Sequence, residues 1–211
     1  MLQSLRDILA DFVNKTKESI HISVIYSDEK ENSKRNADTS HDIVFYKRKD
    51  TSCPSIQNHT NISAVESDRK HGTEEIVKLV THIDIIREAL RDKKEYMMIL
   101  ESDSSDIPFE LVKGFLQSVK GVVQQFDIEG ANEFLIFETD ECKLWKPLTH
   151  SIRATNEFNG IKWYFIGLPM MEKVVGSYEY ILRKNRMVSL ECLFGMLLRI
   201  QNRWVLCKEK T

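Results

Sequence analysis

Glu101, Asp103 and Asp106 fall within six residues of one another in the stretch EYMMILESDSSD, directly after the apolar run Tyr96 to Leu100. Three carboxylates this close oppose one another's ionisation unless a cation or a positively charged partner shares the site. On a strand that continues past Leu100, Glu101 and Asp103 are two residues apart and face the same way, so both can address one ion, while Ser102 faces the other side. Hard oxygen ligands of this kind suit Mg²⁺ or Mn²⁺, which would bridge to the phosphates of a nucleotide and neutralise the charge that builds on a leaving diphosphate. Acids after a strand also cap the next helix, and Asp106, two residues ahead of Pro108, is placed for that.

The elements around this stretch predict how the acids are positioned. Thr73 is the expected N-cap of a helix whose first turn carries Glu74 and Glu75 and whose apolar face is Ile76, Leu79, Val80, Ile83, Ile86 and Leu90. That helix delivers the chain into the strand Tyr96 to Leu100. Upstream, Leu2, Leu5, Ile8, Leu9, Phe12 and Val13 have helical spacing, His21 to Tyr26 reads as a strand, and Asp42 to Tyr46 reads as a second. The polar stretches 27–41 and 47–72 read as surface loops. Downstream, Val112 to Phe126 continues at helical spacing, Glu133 to Glu138, Ile161 to Ile166 and Tyr178 to Leu182 read as strands, and Val188 to Ile200 as a buried helix. Strands alternating with helices imply an α/β layer fold with a mostly parallel central sheet flanked by helices, with some antiparallel strands in the C-terminal part.

The whole chain narrows the functional classes. Its 211 residues, 42% hydrophobic, are expected to form a single domain with a substantial core. Thirty basic against 32 acidic residues leave a formal charge of −2, without the basic excess that nucleic-acid binding draws on. The cysteines Cys53, Cys142, Cys192 and Cys207 form no CxxC pair, so neither a zinc knuckle nor a disulfide framework is indicated. No apolar run reaches the ~20 residues of a membrane span, and the N-terminus alternates charge with apolar residues, so a cytoplasmic protein is expected. The sequons at Asn14, Asn58 and Asn61 matter only in a secretory lumen.

The segment EEIVKLVTHIDIIREALRDKKEYMMILESDSSDIP resembles the most recognisable part of glycosyltransferase family 25, the group that includes lipooligosaccharide and collagen galactosyltransferases. That family shows a Glu-Ile pair, then Ser-His opening onto an amphipathic helix, then an apolar strand ending in Glu-Asp-Asp. Here Glu75-Ile76 is followed by Thr81-His82, and Glu101 follows His82 by 19 residues, the family's spacing. GSYEYILRKNRMVSL resembles a later strand of the family that leads into a helix, and HISVIYSDEKENSKR its first nucleotide-binding strand and the basic segment after it. The likeness covers roughly Ile22 to Leu190 and is specific between Glu75 and Asp103. Two positions depart from the pattern: Val77-Lys78 stands where the family has Gly-Cys, and Ser102 replaces its middle Asp, which removes one metal ligand. The resemblance implies a GT-A type fold and transfer of a hexose from a nucleoside-diphosphate sugar, a UDP-sugar above all, to a glycan or other hydroxyl acceptor. Asp103 is then the metal ligand for Mn²⁺ or Mg²⁺, Glu101 its support, and His82 a donor-site residue.

Other residues complete the expected site. Ser27 and Asp28 follow the first strand, where a nucleotide would meet it, although Ser-Asp there is also ordinary turn chemistry. Arg35 could reach a diphosphate or simply carry charge in a polar loop. An inverting transferase needs a carboxylate to take the acceptor's proton, and Glu138, Asp140 and Glu141 follow the strand EFLIF at the same expected sheet edge, with Asp140 the candidate base. Trp145, Trp163 and Tyr164 could offer a flat face to a sugar, though Trp163 and Tyr164 open an apolar run that reads as core. Two other functions compete: a non-catalytic binding module with the same fold, and a metal-dependent nuclease built on Glu141-Cys142-Lys143 with Asp103. A whole helix between the two strands and the absence of basic excess count against the nuclease.

Overall fold

The computed structural model describes residues 2–14, 19–26, 43–49, 52–53, 56, 63–64, 72–101, 109–126, 134–142, 146–147, 153–155, 157–200 and 205–209. Helix α1 (Leu2–Val13) leads to strand β1 (Ile20–Tyr26), then β2 (Ile43–Lys47) and the short β3 (Ser63–Ala64). Helix α2 (Thr73–Arg91) runs into β4 (Tyr96–Glu101), and helix α3 (Phe109–Phe126) precedes β5 (Phe134–Cys142). After β6 (Lys146–Pro147) and β7 (Arg153–Thr155) comes the long β8 (Phe158–Gly167), then helix α4 (Leu168–Arg183), β9 (Arg186–Met187), helix α5 (Leu190–Ile200) and β10 (Val205–Glu209).

The main sheet has the order β2-β1-β4-β8-β5-β10-β7-β6, and β3 pairs with β9 in a second, two-stranded sheet. β1 is parallel to both its neighbours, and all seven of its residues are buried, as a strand covered on both faces requires. β8 is antiparallel to β4 and to β5, which returns β5 to the direction of β1 and β4. β10 lies parallel to β5 and antiparallel to β7. The expected α/β layering is therefore present: parallel through β2, β1 and β4, and mixed from β8 onward, where the joins are antiparallel except for the parallel pair β5 and β10.

Successive strand residues face opposite sides, and the two sides have different covers. Ile25, Met97, Ile99, Tyr164 and Ile166 share one core with α2, α4 and α5. On the other side Phe165 meets Phe12 of α1 edge-on, with ring centroids 6.1 Å apart, and α3 packs beside α1. The result is a sheet between two helical layers. No helix among the described residues is long and apolar enough to cross a membrane.

Two expected details are corrected. The N-cap of α2 is Gly72 and Thr73 is the first helical residue; the Gly72 N–H donates to the Glu75 carboxylate at 3.3 Å. Tyr178 to Leu182 is the last part of α4, not a strand. Tyr and Ile favour strands, but Met170, Met171, Val174, Tyr178 and Ile181 recur at helical spacing and are buried together, and that shared burial outweighs local preference. The segment likened to a late family strand is thus the end of α4, the short β9 and the start of α5.

Candidate functional site

The carboxyl ends of three strands meet one edge of the sheet. Ile25 of β1 is paired with Glu101, so Tyr26 and the end of β4 lie side by side. Trp163 of β8 is paired with Leu100 on one side and Glu138 on the other, so β5 passes the end of β4 at mid-strand and runs on beyond it to Cys142. Ligands of open α/β sheets gather beyond such strand ends.

Glu101 closes β4 on the side that faces α2, in phase with Met97 and Ile99. Its Oε1 accepts a hydrogen bond from His82 Nε2 at 2.6 Å and lies 3.4 Å from Lys78 Nζ. Lys78 and His82 are four residues apart on α2, so one helix face presents both. His82 is 1% exposed, and its Nδ1 lies 2.9 Å from the Tyr164 hydroxyl, with the two rings stacked. One proton arrangement satisfies every atom: Nε2–H donates to Glu101, and the Tyr164 O–H donates to Nδ1. Lys78 Nζ also lies 3.0 Å from Glu191 Oε1 and donates to the Ile161 carbonyl, while the Ile161 N–H donates to Glu191 at 3.3 Å. The Trp163 indole N–H donates to the Glu101 carbonyl at 3.2 Å and fixes the strand end from the other side.

Tyr164, His82, Glu101, Lys78 and Glu191 thus form one continuous polar chain from α2, β4, β8 and α5. Burial alone would raise the Glu101 carboxyl, but the hydrogen bond from His82, with the charge and hydrogen bond of Lys78, brings it below its ordinary 4.5. Burial, then the negative charges of Glu101 and Glu191, push the Tyr164 phenol well above its ordinary value, so its proton stays available to His82. The arrangement holds an ionised carboxylate in one orientation at the carboxyl edge of the sheet, backed by a buried imidazole.

The expected site residues fall as follows. His82 and Glu101, singled out by their spacing, are in contact. Asp140 lies within β5, which runs on to Cys142; Glu138 and Glu141 are in the same strand and not in a loop beyond it. Trp163 and Tyr164 are 7% and 0% exposed and belong to the core. Ser27, Asp28, Arg35, Asp103, Asp106 and Trp145 lie outside the described residues. Lys78 and Glu191 were not foreseen. Their signal was a charge set inside an apolar helix face, Val77-Lys78-Leu79 and Leu190-Glu191-Cys192, where a buried charge needs a partner.

A divalent ion, if it uses Glu101, finds a hard oxygen donor of the right kind. Oε1 is already shared by His82 and Lys78, however, so Glu101 offers its second oxygen, close to an ammonium group. That fits a supporting ligand and not the centre of a metal site. Among the described residues no group of three or more His, Cys, Asp or Glu is placed to hold an ion. Comparison with protein-family models gives no match for the chain, and comparison with curated proteins gives none either.

Proposed function

We propose that the chain is a glycosyltransferase of the GT-A type that moves a hexose from a nucleoside-diphosphate sugar, a UDP-sugar in the first instance, to a hydroxyl of a glycan or other acceptor. The observation that carries this reading is the 2.6 Å contact between His82 and Glu101 at the carboxyl edge of the sheet. These are the two residues whose spacing underlies the resemblance to glycosyltransferase family 25, and the contact gives that spacing a physical purpose. In this reading Ser27 and Asp28, directly after β1, hold the nucleotide. Asp103, supported by the second oxygen of Glu101, would hold Mn²⁺ or Mg²⁺, and the ion would supply positive charge against the departing diphosphate. Asp140 takes the acceptor's proton as the acceptor oxygen bonds to the sugar carbon and the carbon–diphosphate bond breaks. His82, Tyr164 and Lys78 hold Glu101 ionised and oriented. The work is done in the cytoplasm.

A second reading, a nucleotide-binding module without turnover, draws on Lys78. It stands where the resembling family has Cys, and its ammonium supplies Glu101 with the positive charge that a metal ion otherwise would. Isothermal titration of UDP-sugars in the presence of Mn²⁺ tests both readings for binding. A folded protein that binds no common nucleotide sugar overturns both. Donor hydrolysis by the wild type that disappears in Asp103→Asn selects the transferase; binding without hydrolysis selects the module.

A further inference from the structure

Among the described residues the exposed large hydrophobic side chains are Tyr180, 56% exposed, and Ile200, 78% exposed, and both line one groove. The groove, about 480 Å³ in volume, lies between α4 and α5 with β9 at its margin, far in sequence from the strand ends of the candidate site. Its floor is Ile181, Leu193 and Leu197, each nearly buried, with Met196 beside them. Lys184 and Arg186 line it where α4 gives way to β9, and the Lys184 ammonium lies 5.6 Å from the centre of the Tyr180 ring. Among the described residues no acidic side chain lines the groove.

Each feature restricts the occupant. The volume lies within the ~300–1,000 Å³ range of small-molecule sites, whereas an α-helix of a partner is ~10–12 Å across with its side chains and needs a wider trough. An extended peptide brings backbone amides that must find partners, and apart from the two cations the described lining residues offer only the Ser177 and Tyr180 hydroxyls as polar side-chain groups. The apolar floor calls for a hydrocarbon chain, and two cations without an acid call for an anion beside it. We propose that this groove binds a single-chain amphiphile with an anionic head, the chain lying over Leu193, Leu197 and Ile200 and the head, a phosphate or carboxylate, held by Lys184 and Arg186.

Isothermal titration with alkyl phosphates below their micelle concentrations tests this. Dodecyl phosphate should bind one to one and saturably. Affinity should rise from octyl to dodecyl phosphate, up to about fourfold per fully buried methylene, and inorganic phosphate alone should not bind measurably. The double variant Lys184→Glu/Arg186→Glu should weaken dodecyl phosphate at least tenfold, and Ile200→Asp should flatten the chain-length dependence. All three side chains are exposed, so the variants should keep the circular dichroism of the wild type. The proposal fails if dodecyl phosphate does not bind saturably, if inorganic phosphate binds as tightly, or if the double charge reversal leaves binding unchanged.

Discussion

Lys78 is the residue whose removal most sharply tests the polar chain behind Glu101. Its side chain is 16% exposed and bridges Glu101, 26% exposed, and Glu191, 12% exposed, at 3.4 and 3.0 Å. Lys78→Met keeps most of the side chain's length and deletes the charge, leaving two mostly buried carboxylates without their shared cation. An exposed ion pair is worth ~0–1 kcal/mol, whereas stripping one partner from a buried pair costs about 3–5 kcal/mol. With all three groups under a third exposed, the expected cost is about 2–3 kcal/mol, discounted from the buried limit for residual solvent screening. For a chain of 211 residues this corresponds to a fall in Tm of roughly 4–12 °C. Urea unfolding followed by circular dichroism measures it. Adding Glu191→Gln to Lys78→Met should recover about 1 kcal/mol or more, because one of the stranded charges is then gone. A Lys78→Met protein within ~0.5 kcal/mol of wild type would behave as a surface substitution and refute the bridging role.

Three further outcomes are expected. His82→Phe leaves the buried Tyr164 hydroxyl without its acceptor and Glu101 without its closest donor, and should cost about 2–3 kcal/mol, against about 1 kcal/mol for Tyr164→Phe, in the same unfolding assay. Because the folded Glu101 carboxyl lies below 4.5, its stabilisation is complete above that pH and is lost as pH falls below it through the folded value. Unfolding measured down this range should therefore show an acid-induced loss that is smaller in Glu101→Gln. In a donor-hydrolysis assay, chelation of divalent ions should abolish turnover and Mn²⁺ restore it, while Glu101→Gln should lower kcat at least tenfold; turnover indifferent to both removes the metal-assisted mechanism.

What was legible in the sequence followed periodicity. The helix from Thr73 and the strand Tyr96 to Leu100 read correctly because Ile76, Leu79, Val80, Ile83 and Ile86 are spaced for one face and because a five-residue apolar run has no other use. The buried face of α2 is wider than its apolar residues suggest, taking in Val77, Thr81, His82, Ile85 and Ala89, because α2 packs on the sheet and against α4 at once. Tyr178 to Leu182 reads as a strand because it carries residues favoured in strands; only burial of Met170, Met171 and Val174 with them fixes the helix. The short strands β3, β6, β7, β9 and β10 were not read, since two to five residues give too little pattern and owe their state to partners elsewhere in the chain. Two of the five members of the polar chain, His82 and Glu101, were legible through their spacing, but Lys78 and Glu191 were not, since the partner of a buried charge is set by how helices dock and not by local sequence.

Co-crystallisation with UDP and Mn²⁺ tests the central claim most directly. The nucleotide is expected beyond the carboxyl ends of β1 and β4, with its diphosphate near Ser27 and Asp28, an ion on Asp103 and Glu101, and the His82–Glu101 contact intact. UDP bound elsewhere, or a saturated crystal in which Glu101 faces no ligand and keeps only Lys78 and His82 as partners, would contradict it.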